Sequence, residues 1–230
     1  MNRRQALKNI GLGGGALAVT PTIISLLQSC GSSEEYVSSF LAPSEAKALK
    51  EMVGLIIPSD IEVPGAVDVG VHEFISRYWD QVLPTEEQVA ALEDEFTSYS
   101  MTSRQDNIRR GFAALARVMQ RDHQTDFDSS TREAYDEVLA KYLKVNQAQA
   151  DSWSKEVSAY FKSSESESEV NVSSDAMAHA LIHEVRSMTI WTWTQTQRIG
   201  EGFLWYDPVP GVYKGCVPVS EAGNGKVMSL

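Results

Sequence analysis

Arg104-Gln105-Asp106-Asn107-Ile108-Arg109-Arg110-Gly111-Phe112-Ala113-Ala114-Leu115-Ala116-Arg117-Val118-Met119-Gln120-Arg121 decides the fold class. Ile108, Phe112, Leu115, Val118 and Met119 recur at the three- and four-residue spacing that puts side chains on one helical face, and the arginines fall outside that face. The stretch predicts an amphipathic helix over 104–121 turned toward a core. Arg109-Arg110 is one helical pair and not a basic patch.

The same period extends in both directions. Upstream, Pro43-Ser44-Glu45 opens a helix carrying Ala46, Leu49, Met52, Val53, Ile56 and Ile57, and Pro58 stops it. Residues 57–66 have the proline and glycine density of an ordered turn. Val71, Phe74, Ile75, Tyr78, Trp79 and Val82 mark a second helix ending near Pro84. Thr85-Glu86-Glu87-Gln88 reads as a capping box for a third, with Val89, Leu92 and Phe96. Downstream of the quoted helix, Ser129-Ser130-Thr131-Arg132-Glu133 caps a fifth, with Tyr135, Val138, Leu139, Tyr142 and Leu143. Trp153, Val157, Tyr160 and Phe161 define a sixth. Residues 163–174 are serine- and glutamate-rich, too polar to pack, and read as a mobile loop. A last long helix runs from Asp175 to near Ile199 and carries Trp191 and Trp193. No alternating strand pattern and no internal repeat occurs. The expectation is an all-α, irregular helical bundle over 43–218, closed by a Pro/Gly/aromatic C-terminal strap and followed by a flexible tail at 219–230.

At 230 residues and 43% hydrophobic, the chain can bury a core, and its net charge of −11 argues against nucleic-acid binding, which is driven by clustered Lys and Arg. The local excess of positive charge is Arg3, Arg4 and Lys8, followed by the uncharged, weakly apolar stretch Ile10 to Leu27. That is the layout of an export signal over 1–29, and Asn2-Arg3-Arg4-Gln5-Ala6-Leu7-Lys8 resembles the twin-arginine consensus, with Ala6 where a Phe is commoner. Gly11-Leu12-Gly13-Gly14-Gly15 is no dinucleotide loop, because no strand precedes it. Leu27-Gln28-Ser29-Cys30 resembles a lipobox, which would make Cys30 a lipidated first residue on a tether over 30–42, in a periplasmic, membrane-anchored lipoprotein. The alternative is a Cys30–Cys216 disulfide in an oxidising compartment.

Chemistry is sparse. His179 and His183 lie one helical turn apart and are the weak metal candidates; Glu184 follows the second histidine, whereas a zinc-protease motif needs Glu after the first. There is no Gly-x-Ser-x-Gly elbow, no Cys-x-x-Cys-His for haem and no phosphate-binding loop. The carboxylate pairs sit on helical polar faces. No catalytic or cofactor-binding residue is assigned, and the expectation is a chain without a cofactor of its own. The end of the chain stands out: Trp205, Tyr206, Pro208, Pro210, Gly211, Tyr213 and Cys216 make a proline-stiffened aromatic strap. Such a strap either docks a partner protein or wraps its own bundle.

The strap also carries a family resemblance. Tyr206-Asp207-Pro208-Val209-Pro210-Gly211-Val212-Tyr213-Lys214-Gly215-Cys216 is similar to the Tyr-x-Pro-Val-Pro-Gly-x-Tyr-x-Gly-Cys ending of gluconate 2-dehydrogenase subunit 3 proteins. The twin-arginine start, Ile56-Ile57-Pro58 through Pro64-Gly65-Ala66, and Gly70-Val71 through Phe74-Ile75 agree with the same family. The resemblance implies an accessory subunit of a heteromeric, membrane-associated dehydrogenase. A large GMC-type flavoprotein carrying FAD oxidises a sugar, glycoside or sugar acid, and a c-type cytochrome subunit with haem takes the electrons. It also implies that the small subunit escorts the flavoprotein through export and stays bound, held at the membrane by a lipid anchor or by the complex. Relatives accompany glucose and glucoside 3-dehydrogenases too, so the substrate is not implied. One stretch departs: where the family has a Gly-aromatic pair and a Ser-Glu, this chain reads Thr192-Trp193-Thr194-Gln195-Thr196-Gln197. Two readings of another class stay open, an independent periplasmic hydrolase or lyase using Asp and Glu side chains, and a surface lipoprotein that binds polysaccharide through Trp191 or Trp205.

Overall fold

The computed structural model describes residues 38–83, 104–163, 171–205, 216, 218, 220–221 and 223–228. Within these residues there are seven helices and no strand, in agreement with the all-α expectation. They are α1 (Pro43–Ile56), α2 (Val71–Gln81), α3 (Arg104–His123), α4 (Arg132–Leu143), α5 (Gln147–Ser163), α6 (Ser174–Gln195) and α7 (Gln197–Gly200). The expected third helix after Thr85, the export signal with Arg3 and Arg4, the tether with Cys30, and most of the 163–174 loop lie outside the described residues.

The helix starts follow the local chemistry. Pro43 occupies the first turn of α1, where its missing N–H costs nothing, and the Glu45 carboxylate accepts the Ala42 N–H at 2.9 Å. Thr131 caps α4 by accepting the Ala134 N–H at 3.3 Å, and Ser173 caps α6 by accepting the Ala176 N–H at 3.2 Å.

The long aromatic helix is shorter than its periodicity predicts. α6 stops at Gln195 because Thr196 takes an extended backbone (φ −68°, ψ 138°) and α7 restarts beyond it. The physical reason lies in the alternating Trp-Thr run: the Thr194 and Thr196 hydroxyls donate to the carbonyls of Trp191 and Trp193, both at 2.8 Å. Such side-chain bonds compete with the helical ladder.

α6 is the axis of the bundle. It packs against α1, α2, α3, α4, α5 and α7, and its first half is buried nearly all round, with Ala176, Met177, Ala178 and His179 buried in succession. The most extensive pairing is with α3, and Gly111 sets its closeness: a Cβ there would lie 2.8 Å from Leu181 Cβ. Around this pair, Phe112 meets Trp79 and Phe127 edge-on, each at 6.2 Å between centroids. Tyr135 is buried with its hydroxyl donating to the Phe127 carbonyl at 3.0 Å, and burial pushes its pKa up to about 12.

An ion cluster ties the ends of α3, α4 and α6 together. Asp175 accepts from Arg121 at 2.7 and 3.0 Å, from Lys141 at 3.0 Å and from the Tyr142 hydroxyl at 2.7 Å, and Lys141 also reaches Asp122 at 2.8 Å. The Arg121 guanidinium holds both carboxyls well below the usual carboxylate range, and Lys141 adds to this. Asp175 also sits in the first turn of α6, where the helix dipole favours a negative charge.

Within the stretch 219–230, which the sequence predicts as a flexible tail, the described residues hold local structure: the Trp205 N–H donates to the Val227 carbonyl at 2.8 Å, Trp205 and Met228 form an isolated bridge, and Gly223–Gly225 makes a single 3-10 turn. Backbone hydrogen bonding to the Trp205 strap, invisible in a polar, patternless sequence, is the reason.

Candidate functional site

The loop between α1 and α2 positions the face of interest. It closes through Ala66 N–H to the Ile57 carbonyl at 2.9 Å and Asp60 N–H to the Val63 carbonyl at 2.9 Å. Gly65 allows this tight path, since a Cβ there would come 2.5 Å from the Ser59 nitrogen. The Asp68 carboxylate accepts from the Ser59 hydroxyl and from the Gly65 N–H, and these two bonds lower its pKa. The Trp193 indole N–H then donates to the Pro64 carbonyl at 3.0 Å, locking the loop to the C-terminal half of α6.

α2 leaves this loop with more apolar surface than the bundle uses. Val71, Ile75 and Trp79, spaced four apart, are fully buried. Phe74, Tyr78 and Val82, also spaced four apart, form a second stripe along its edge, and Phe74 and Val82 are 42% and 60% exposed. Across from them Trp191 of α6 is 50% exposed, with its ring 6.1 Å from Phe74, while Phe74 stacks on Tyr78 at 6.2 Å. A continuous aromatic surface held by buried neighbours on two helices is the arrangement that protein interfaces use at their centres, because rigid rings lose little entropy on docking. The helical period marks Phe74, Tyr78 and Val82 only as apolar positions of an amphipathic helix; in the structure Phe74 and Val82 are exposed, while Tyr78 is half-buried against the core.

The residues singled out from sequence divide unevenly. Trp205 is half-buried and bridged to Met228, and Cys216 carries a free, exposed thiol. Tyr206, Pro208, Pro210, Gly211 and Tyr213 lie outside the described residues, as do Arg3, Arg4 and Cys30. His179 and His183 do come together, with ring centroids 4.3 Å apart, on the side of α6 that faces α5. Both Nε2 atoms are shielded from solvent without a hydrogen-bond partner, as are Trp79 Nε1 and Thr192 Oγ1. Such an atom costs about 1–3 kcal/mol when nothing satisfies it. Among the described residues no group of three or more His, Cys, Asp and Glu side chains stands together as a metal cage.

No helix among the described residues is long and apolar enough to cross a membrane. The profile of the gluconate 2-dehydrogenase subunit 3 family matches residues 43–211, from the first turn of α1 into the strap. The chain belongs to the gluconate 2-dehydrogenase subunit 3 family. It is thus a small subunit of a gluconate 2-dehydrogenase-like complex. No curated protein and no solved structure matches it. The matched region contains the α1–α2 loop, the Phe74–Tyr78–Val82 stripe and Trp191.

Proposed function

We propose that this subunit is non-catalytic and serves a membrane-associated flavoprotein dehydrogenase that oxidises a sugar, glycoside or sugar acid. The observation that carries the reading is the surface made by the exposed Phe74, Val82 and Trp191 with the half-buried Tyr78 stacked on Phe74, inside the family match and braced by the Trp193–Pro64 bond. In this reading the face seats the large flavoprotein subunit. FAD belongs to that partner, and haem to a c-type cytochrome subunit that receives the electrons. Arg3 and Arg4 direct twin-arginine export of the assembled pair, which suits a subunit that must bind its partner before leaving the cytoplasm. Lipidation of Cys30 then retains the complex on the periplasmic side of the membrane.

Co-expression with a GMC-type flavin-dependent dehydrogenase from the same genome tests this. The full chain is expected to co-purify with a yellow flavoprotein. Phe74→Ser with Trp191→Ser is expected to release it while leaving the helical circular dichroism of the free subunit intact. Undiminished co-purification by that variant would overturn the docking face, and recovery of only free wild-type chain would overturn the subunit reading. The exposed Trp191 also suits stacking on a sugar ring, and polysaccharide retention by the isolated chain, lost in Trp191→Ser, would favour that second reading instead.

A further inference from the structure

We propose that His179 and His183 form a two-imidazole site for one borderline divalent transition-metal ion, opening on the groove between α5 and α6. The two residues are one turn apart on α6, so both rings project to the same side, and their centroids are 4.3 Å apart. The Nε2 atom of each imidazole is withdrawn from solvent and has no hydrogen-bond partner among the described residues. His179 is only 6% exposed, so its unpartnered nitrogen is the kind of buried polar atom that native interiors pair with something. Trp153 packs against the His179 ring at 5.1 Å and fixes its orientation.

An open groove of about 450 Å³ runs beside the two rings, and α5 contributes Gln147, Asp151, Ser154 and Ser158 to its wall, all able to hydrogen-bond metal-bound water. Two imidazoles with water, and no thiolate beside them, select Zn²⁺, Cu²⁺ or Ni²⁺ over Ca²⁺ and Mg²⁺. No third protein ligand stands beside the pair among the described residues, so the other coordination positions belong to water or to a group brought from outside the chain.

The site is independent of the docking face. Calorimetric titration of the full chain with Zn²⁺ and with Cu²⁺ is expected to give one ion per chain. The paramagnetic resonance spectrum of the Cu²⁺ form is expected to show coupling to two imidazole nitrogens. His179→Gln and His183→Gln should each weaken binding by about tenfold or more. His72→Gln and His123→Gln should leave it unchanged. Since His179→Gln alters a buried position, zinc-induced shifts of the His179 and His183 ring protons in the wild-type chain give a second measurement that needs no variant. Binding that survives the double His→Gln change, or wild-type ring protons that do not move on zinc addition, would overturn the site.

Discussion

α3 and α5 read alike in sequence and live differently in the fold. Each carries large apolar side chains at helical spacing, α3 with Phe112, Leu115 and Met119, α5 with Trp153, Val157, Tyr160 and Phe161. In α3 those side chains are buried completely, and the helix lies against α6 at the distance that Gly111 permits. In α5 no described side chain is fully buried; the helix leans on α6 through Trp153, between Tyr142 and His179, with the Arg110 guanidinium over the Tyr160 ring. Open grooves run along its seam with α6, one lined by Val157, Phe161 and Leu181, the other by Asp151, Ser154 and the two histidines. The lesson is that periodicity reports a face able to be buried, and only the neighbours decide how deeply.

The sharpest way to break this contrast is to truncate one aromatic on each helix. Phe112→Ala is expected to cost about 3–5 kcal/mol in urea unfolding, through lost transfer energy and the cavity left behind. Gly111→Ala comes next, at about 1–3 kcal/mol, because the added methyl meets Leu181 where two backbones cross and neither can retreat cheaply. Trp153→Ala should cost less than Phe112→Ala, roughly 1–2 kcal/mol, since its ring is only half-buried and α5 can settle toward the groove. Equal costs for the two aromatics would show that α5 belongs to the main core.

Acid sharpens the comparison from the other side, because the Asp122–Arg121–Asp175–Lys141 cluster fastens α3, α4 and α6 but not α5. The folded pKa values of Asp122 and Asp175 are depressed. Their stabilisation is therefore present above the unfolded value near 4 and is lost as pH falls below it. Melting temperature should drop steeply below about pH 4, and Asp175→Asn should lower stability by about 1 kcal/mol at neutral pH while flattening that acid limb. A variant as acid-sensitive as the wild type would remove Asp175 from the account. The smallest effect is expected in hydrogen exchange: α5 amides should exchange by local opening, without the global protection of α3.

Much of the bundle was legible beforehand. The starts of α1 and α4 follow from Pro43 and the Ser129–Glu133 segment, since caps and first-turn charges act over three or four residues and need no tertiary context, whereas α6 starts at Ser174 with its cap at Ser173, inside the stretch read as a loop. The break at Thr196 and the return of Met228 to Trp205 were not legible, because each depends on hydrogen bonds that a hydrophobic pattern does not record. The candidate site was half legible. Trp191 and the His179–His183 pair stood out as residue types, whereas the period of α2 does not separate the exposed Phe74 and Val82 from the buried Val71, Ile75 and Trp79. Its apolar arc is wider than the strip that the bundle covers.

By itself, the sequence determined that this chain is helical, acidic and of the subunit 3 family, because composition, caps and the strap motif are local properties of the chain. The tertiary structure alone decided which apolar side chains of α2 stay exposed and that the His179–His183 pair lines a groove. Both depend on how far each helix face sinks against its neighbours, and burial is a property of the packed assembly of helices that no single segment carries.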